Sequence, residues 1–478
     1  VIFHSLDFLI FFLVAVAVYW ALPRRWQNLW LLLTSYFFYG YVHPWFLGLI
    51  AFSTTVDWWA ARRMEADPAR RRWYLWISIA SNMGMLGFFK YFNFFAASLS
   101  PLLATLGLSS TVPVVNVLLP VGISFFTFQA LSYTIDVYRG QLRARQSLVD
   151  VATFVALFPQ LVAGPIERAS TLLPQVEATR SFSMDAARTG LLLMAWGYFK
   201  KLVVADSAGV VANKIFSIDA PGFAMLWAGV FAFGLQIYAD FSAYSDIARG
   251  TARWLGFELM VNFDQPYFAR GPRDFWKRWH ISLSTWFRDY VYIPLGGSRQ
   301  GLPRELGNVL LTFLLSGLWH GASWNFVMWG GYHGVLLILS RLATRWLPSP
   351  PSSISPLLVP VRIIGMVVLA HVGWLMFRET DTTMLLRHLT LSPFADTAID
   401  RQAALTLVLM LLPWALPVFA EGVWVEWHRS RSADSPQVDS VHTRWTQLAL
   451  QGVFLGAVLI SILLFRSTAS LDFIYFQF

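Results

Sequence analysis

Apolar runs of helical length, separated by short polar connections, succeed one another along most of this chain. They cover 5–22, 28–42, 45–61, 73–95, 117–137, 187–205, 222–247, 306–318, 322–343, 358–377, 401–420 and 446–466. A hydrocarbon core about 30 Å thick takes roughly 20 residues of helix to cross. The pattern therefore predicts an all-α polytopic membrane protein with about 11–12 transmembrane helices. A further run, 148–163, is short and ends in Phe158-Pro159 and Gly164-Pro165. Backbone groups freed by proline and glycine must be satisfied inside protein or a cavity, so this run is expected to be re-entrant. Phe8 to Leu22 is followed by Pro23-Arg24-Arg25, not by a small-residue cleavage site, and reads as the first span.

The connections orient the spans. Arg62, Arg63, Arg70, Arg71 and Arg72 crowd the 62–72 connection, the next one (about 96–116) has no Lys or Arg, and Arg139, Arg143 and Arg145 return at 138–146. Basic connections face the cytoplasm. Continuing the alternation puts 248–304 and 426–445 inside and both termini on the periplasmic side. Pro348 to Pro356 reads as a loop and 428–443 as a flexible polar connector.

Composition agrees with this picture. The 478 residues are 56% hydrophobic and only 13% charged, with a mean hydropathy of +0.53, against about 25% charged in a soluble protein. One integral-membrane domain is expected over 1–478, with the C-terminal transmembrane helices in 358–478. The net charge of +9 lies mostly in short loops and reads as topology and lipid headgroups, not nucleic acid. No cysteine is present, which excludes thiolate chemistry and disulfides.

Candidate chemistry concentrates in two stretches. The first, 274–290, interleaves Phe275, Trp279, Trp286, Phe287 and Tyr290 with Lys277, Arg278, Arg288 and Asp289. It reads first as an amphipathic interfacial helix, and compatibly as a cationic floor for a phosphorylated donor. The second, Gly317 to Gly334, places His320 and His333 among Trp319, Trp324, Trp329 and Tyr332. A titratable group at membrane depth costs a few kcal/mol unless paired, hydrated or functional. A hydrogen-bonded core histidine, a metal ligand and a general base are the three readings. No HExxH motif or nearby carboxylate spacing supports a metal. A buried neutral imidazole is suited to accept a proton. Asp240 and Asp246 fit helix-to-helix hydrogen bonding, or less simply an ion pathway. P-loop, dinucleotide and GxSxG signatures are absent.

These pieces together resemble the membrane-bound O-acyltransferase superfamily, and most closely its bacterial alginate O-acetyltransferase branch. The matching segments are SYFFYG (35–40), GISFFTFQALSYTIDVYRG (122–140), FPQLVAGPIER (158–168), DFSAYSDIARG (240–250), NFDQPY (262–267), FWKRWHISLSTWFRDYVYIPLGG (275–297) and GLWHGASWNFVMWGGYHG (317–334). They run in family order over about 3–345, with the catalytic region at 240–334. The resemblance implies helices around a central passage from cytoplasm to exterior. It further implies His320 as the principal active-site residue and His280 as a second, supporting histidine. His333, Trp319 and Asn325 are expected to support the site, and Lys277, Arg278 and Arg288 to bind the donor.

The reaction implied is acetyl transfer to a hydroxyl for exopolysaccharide O-acetylation, in a bacterial inner membrane. Acetyl-CoA is expected as the donor substrate, with no bound cofactor. A periplasmic or membrane-anchored acetyl-relay protein is the expected partner. Transfer of D-alanyl groups from a carrier protein, and export of an acylated glycan, are the alternatives.

Overall fold

A computed structural model describes residues 3–106, 118–346, 357–431, 441–467, 469 and 471–474. Every regular element among them is helical, and each of the twelve apolar runs contains an α-helix. Five helices are long and apolar enough to cross a membrane: Phe223–Trp254, Trp324–Trp346, Leu358–Arg378, Ala398–Arg429 and Leu448–Phe465. Leu6–Ala21 is apolar but shorter. The chain is thus an all-α polytopic membrane protein. The run at 73–95 does not stop there: after a π turn at Gly87–Tyr91 it continues as the helix Phe92–Thr105, into part of the expected 96–116 connection. The rest of that connection from 107 on, the Pro348–Pro356 loop and the middle of the 428–443 connector lie outside the described residues.

The chain divides into two compact units that interleave in sequence. The first comprises Val1–Gly190, Ala248–Met260 and Gly321–Ser323. Within it, the helix Ile123–Tyr138 is buried on nearly all sides, which explains why its sequence shows no polar face. Polar side chains tie its neighbours together. Asp57, fully buried, accepts from Ser78 Oγ at 2.6 Å and from Asn82 Nδ2 at 2.9 and 3.0 Å. Ser78 in turn shares a hydrogen bond of 2.9 Å with Thr134. Water cannot satisfy such groups at membrane depth, so they pair between helices. The expected re-entrant run forms a helix only over Leu148–Ala156, started by Ser147 accepting from Asp150 N at 3.2 Å. The following turn, 157–164, is buried throughout. Beyond it Glu167 is buried and accepts from Met260 N at 2.6 Å.

The second unit comprises Leu191–Ile247, Val261–His320 and Trp324–Phe478. Asp396 starts its long helix, accepting from Phe223 N at 2.7 Å and Ala224 N at 2.6 Å; a carboxylate there also complements the helix dipole. Asp240 and Asp246 on this helix meet consecutive lysines of a π-helical turn, Lys200–Ala205. Lys200 Nζ lies 2.7 Å from Asp246, and Lys201 Nζ lies 3.0 Å from both Asp240 and Asp206. These aspartates join helices, as the simpler sequence reading expects, and they do so through ion pairs with the two lysines. The π turn sets both lysines inward, where a regular helix would separate them by about 100°. The same cluster holds Leu471 and Ile474, with Leu471 O accepting from Lys201 at 2.8 Å and Asp240 accepting from Ile474 N at 2.5 Å.

Candidate active site

The stretch 274–290 is not one amphipathic helix. The chain instead forms two short helices, Pro272–Arg278 and Ile281–Phe287, with Trp279 and His280 between them. His280 adopts left-handed backbone angles, φ 43° and ψ 54°. Among the described residues, only Gln265 shares positive φ with it outside glycine. Two backbone bonds of 2.9 Å hold this conformation, Asp264 N to Arg278 O and Ile281 N to Asn262 O. A non-glycine residue in this region costs of order 1–3 kcal/mol and persists where its surroundings over-determine it.

His320 is the last residue of the helix Leu302–His320, whose partner is the next helix, Trp324–Trp346. Their approach is set by two glycines. A Cβ on Gly317 would stand 2.1 Å from Phe326 O, and one on Gly330 would stand 2.2 Å from Phe313 O. Only backbone-to-backbone contact of this kind brings the helices close enough to press His320 against Trp329.

The two family-marked histidines meet. The rings of His280 and His320 are 6.3 Å apart at 61°, and both residues are buried. Trp319 packs on both, at 6.1 Å from His280 and 5.1 Å from His320. Phe241 stands edge-on to His280 at 4.7 Å, while Trp329 and Phe377 pack on His320 at 4.9 and 5.5 Å. Burial lowers the His280 imidazole to about 3, so it is neutral throughout the physiological range.

The other expected residues divide. His333 lies across Trp329 from His320, 4.9 Å from that indole, and stacks parallel to Phe275 at 6.2 Å. Asn325 is buried and donates to Met376 O at 3.3 Å, tying the start of its helix to the end of Leu358–Arg378. Arg278 is held by Asp274 at 2.9 Å and Glu426 at 2.5 Å; it pins the short helix to Ala398–Arg431. Lys277 is exposed, and Arg288 is exposed beside Asp289 at 2.7 Å. No three His, Cys, Asp or Glu side chains gather as metal ligands among the described residues.

Sequence reasoning passes over several residues that build the site. Asn262 Oδ1 lies 3.1 Å from His280 Nδ1. Trp374 packs on Trp279 at 4.6 Å and donates to Tyr267 Oη at 3.1 Å. His371, in the same helix as Trp374, is buried and hydrogen-bonded through Nδ1 to Val367 O at 2.7 Å. The one available signal for Asn262 is its place in NFDQPY, a polar segment with no turn glycine.

Comparison with known proteins gives the family. The profile of the "MBOAT, membrane-bound O-acyltransferase family" matches residues 88–376. "Probable alginate O-acetylase AlgI" of Azotobacter vinelandii is 42% identical over 80% of this chain and 75% of its own length. The protein of the same description from Pseudomonas putida is 36% identical over 100% of both chains. "Peptidoglycan O-acetyltransferase" of Helicobacter pylori is 33% identical over 75% of this chain and 72% of its own. The matched segment contains His280, His320 and His333 together with Trp319 and Trp329. The chain belongs to the membrane-bound O-acyltransferase family, and it is an O-acyltransferase.

Proposed function

We propose that this chain moves an acetyl group from acetyl-CoA, approaching from the cytoplasm, to a hydroxyl that reaches the site from the periplasmic side, and that the acetyl group is destined for an exopolysaccharide. The observation that carries this reading is the buried His280–His320 pair, 6.3 Å apart within aromatic walls, in a chain 42% identical to a protein described as an alginate O-acetylase. In this reading His320 removes the proton from the acceptor hydroxyl. The oxygen attacks the thioester carbonyl, the carbon–sulfur bond breaks, and the thiolate leaves with the proton returned from the imidazolium. General acid–base help of this kind contributes roughly 10²–10⁴-fold. His280 orients the reacting groups. The tryptophan and phenylalanine walls exclude water, which strengthens polar contacts and spares the thioester from hydrolysis.

Lys277 and Arg288 are exposed, Arg288 within its pair with Asp289, and meet the donor's phosphates at an aqueous face, whereas the half-buried ion pairs of Arg278 give it a supporting role there. The basic connections face the cytoplasm of a bacterial inner membrane, both termini face the periplasm, and a periplasmic or membrane-anchored protein relays the acetyl group to the polymer. Purified protein in lipid should release free CoA thiol and label a hydroxyl acceptor when given radiolabelled acetyl-CoA. Labelling only from a D-alanyl-charged carrier protein, with none from acetyl-CoA, contradicts this donor.

A further inference from the structure

The buried carboxamide of Asn262 has an orientation fixed by chemistry. The Ser282 backbone N–H can only donate, and it lies 3.2 Å from one end of the amide; that end is therefore the oxygen, Oδ1. The Ser282 hydroxyl donates to the same oxygen at 2.9 Å. The opposite end, Nδ2, donates to Ser245 Oγ at 3.3 Å. His280 Nδ1 faces this assembly, 3.1 Å from Oδ1 and 3.4 Å from Ser282 Oγ. The hydroxyl proton of Ser282 is already committed to Oδ1, so both atoms present lone pairs to the ring. A lone pair on Nδ1 would oppose both, whereas an N–H there satisfies both. A neutral imidazole carries one proton, and with Nδ1 protonated, Nε2 holds the lone pair.

The backbone enforces the same arrangement. The left-handed turn at His280 is clamped on either side by the two bonds between 262–264 and 278–281. Asn262 therefore contributes its main chain to the placement of His280 and its side chain to the ring's protonation pattern.

We propose that Asn262 is a positioning residue that locks His280 as the Nδ1–H tautomer, so that His280 serves the transfer as a hydrogen-bond acceptor toward the hydroxyl substrate, and not as a donor to the thioester carbonyl. The role within the reaction rests on the acetyl-transfer reading above; the tautomer does not. An acceptor Nε2 holds the hydroxyl in line for attack and leaves proton removal to His320.

The test combines spectroscopy with kinetics on the full-length protein in bilayers. Solid-state NMR with ¹⁵N-labelled histidine, the His280 signals identified by their loss in His280→Gln, should show a protonated Nδ1 and a bare Nε2. A protonated Nε2 in the wild-type protein overturns the proposal whatever the acyl donor. Asn262→Leu should lower kcat by about 10–100-fold, the usual effect of losing a partner that orients a functional histidine, with a smaller change in KM. Asn262→Asp keeps the acceptor and should restore kcat to within about tenfold of wild type. Its added negative charge stabilises the imidazolium, so activity should now fall with decreasing pH at a higher pH than in the wild type. Unchanged kcat in Asn262→Leu, or an unmoved pH profile in Asn262→Asp, overturns the proposal. The expected tautomer in a protein that does not use acetyl-CoA overturns the acetyl reading and leaves the lock standing.

Discussion

The imidazoles of this protein are positioned more by rings and backbone than by charged partners, and small changes beside them should therefore act strongly. His333 illustrates the point. A Cβ on Gly373 would come 2.7 Å from its Nε2 and 3.5 Å from Nε1 of Trp329, which packs on the same ring. Gly373→Ala should displace the His333 ring and crowd Trp329, the indole that packs on both His333 and His320. Overpacking of this kind costs typically ~1–3 kcal/mol. The expected result is a lower melting temperature together with reduced kcat, read by thermal unfolding in detergent and by acetyl transfer; wild-type values for both would show that the ring can move aside freely. His320 was legible in the sequence because histidine among tryptophans is costly at membrane depth, and both His320 and His280 because their motifs resemble a family. Asn262 was not legible, since an asparagine in a polar, proline-containing stretch looks like a turn residue. Its meaning depends on His280 and Ser282 arriving beside it from 18 and 20 residues away.

Elements show where hydrophobic pattern is a good guide and where it fails. It locates helices well, because a bilayer demands long apolar runs, and Leu358–Arg378 lies within a residue of its expected bounds. It fails at 274–290, where aromatic and cationic residues alternate as on an amphipathic helix. The break at His280 comes instead from pairing with 262–264, a long-range contact that periodicity cannot register. The segment around Glu167 carries a pH prediction. Burial raises this carboxyl to about 7, against the opposing pull of Arg168 and Arg249 and the hydrogen bond from Met260 N. The folded protein therefore holds this proton more tightly than the unfolded chain, whose carboxyl titrates at about 4.3. The group's contribution to stability is full below that lower value and is lost as pH rises through about 7. Glu167→Gln should accordingly flatten the fall in melting temperature between pH 5 and pH 8. An equally steep fall in the variant would show that Glu167 titrates like an exposed carboxyl.

At the scale of the whole molecule, membrane character and family were legible from composition and from motifs running in order along the chain. The division into two interleaved units was not, because the second unit collects 191–247, 261–320 and 324–478 around contacts far apart in sequence. All the histidines and ring walls of the candidate site fall in that second unit. Acyl transfer should therefore depend on one buried pair whose members arrive from different elements, His280 from a strained turn and His320 from a helix end. The most direct test is the rate of acetyl transfer from acetyl-CoA by His320→Ala protein that inserts and melts like the wild type. A loss of at least about 10²-fold in kcat is predicted, in keeping with removal of a general base. Retention of more than about a tenth of the wild-type kcat would contradict the assignment of His320 as the base.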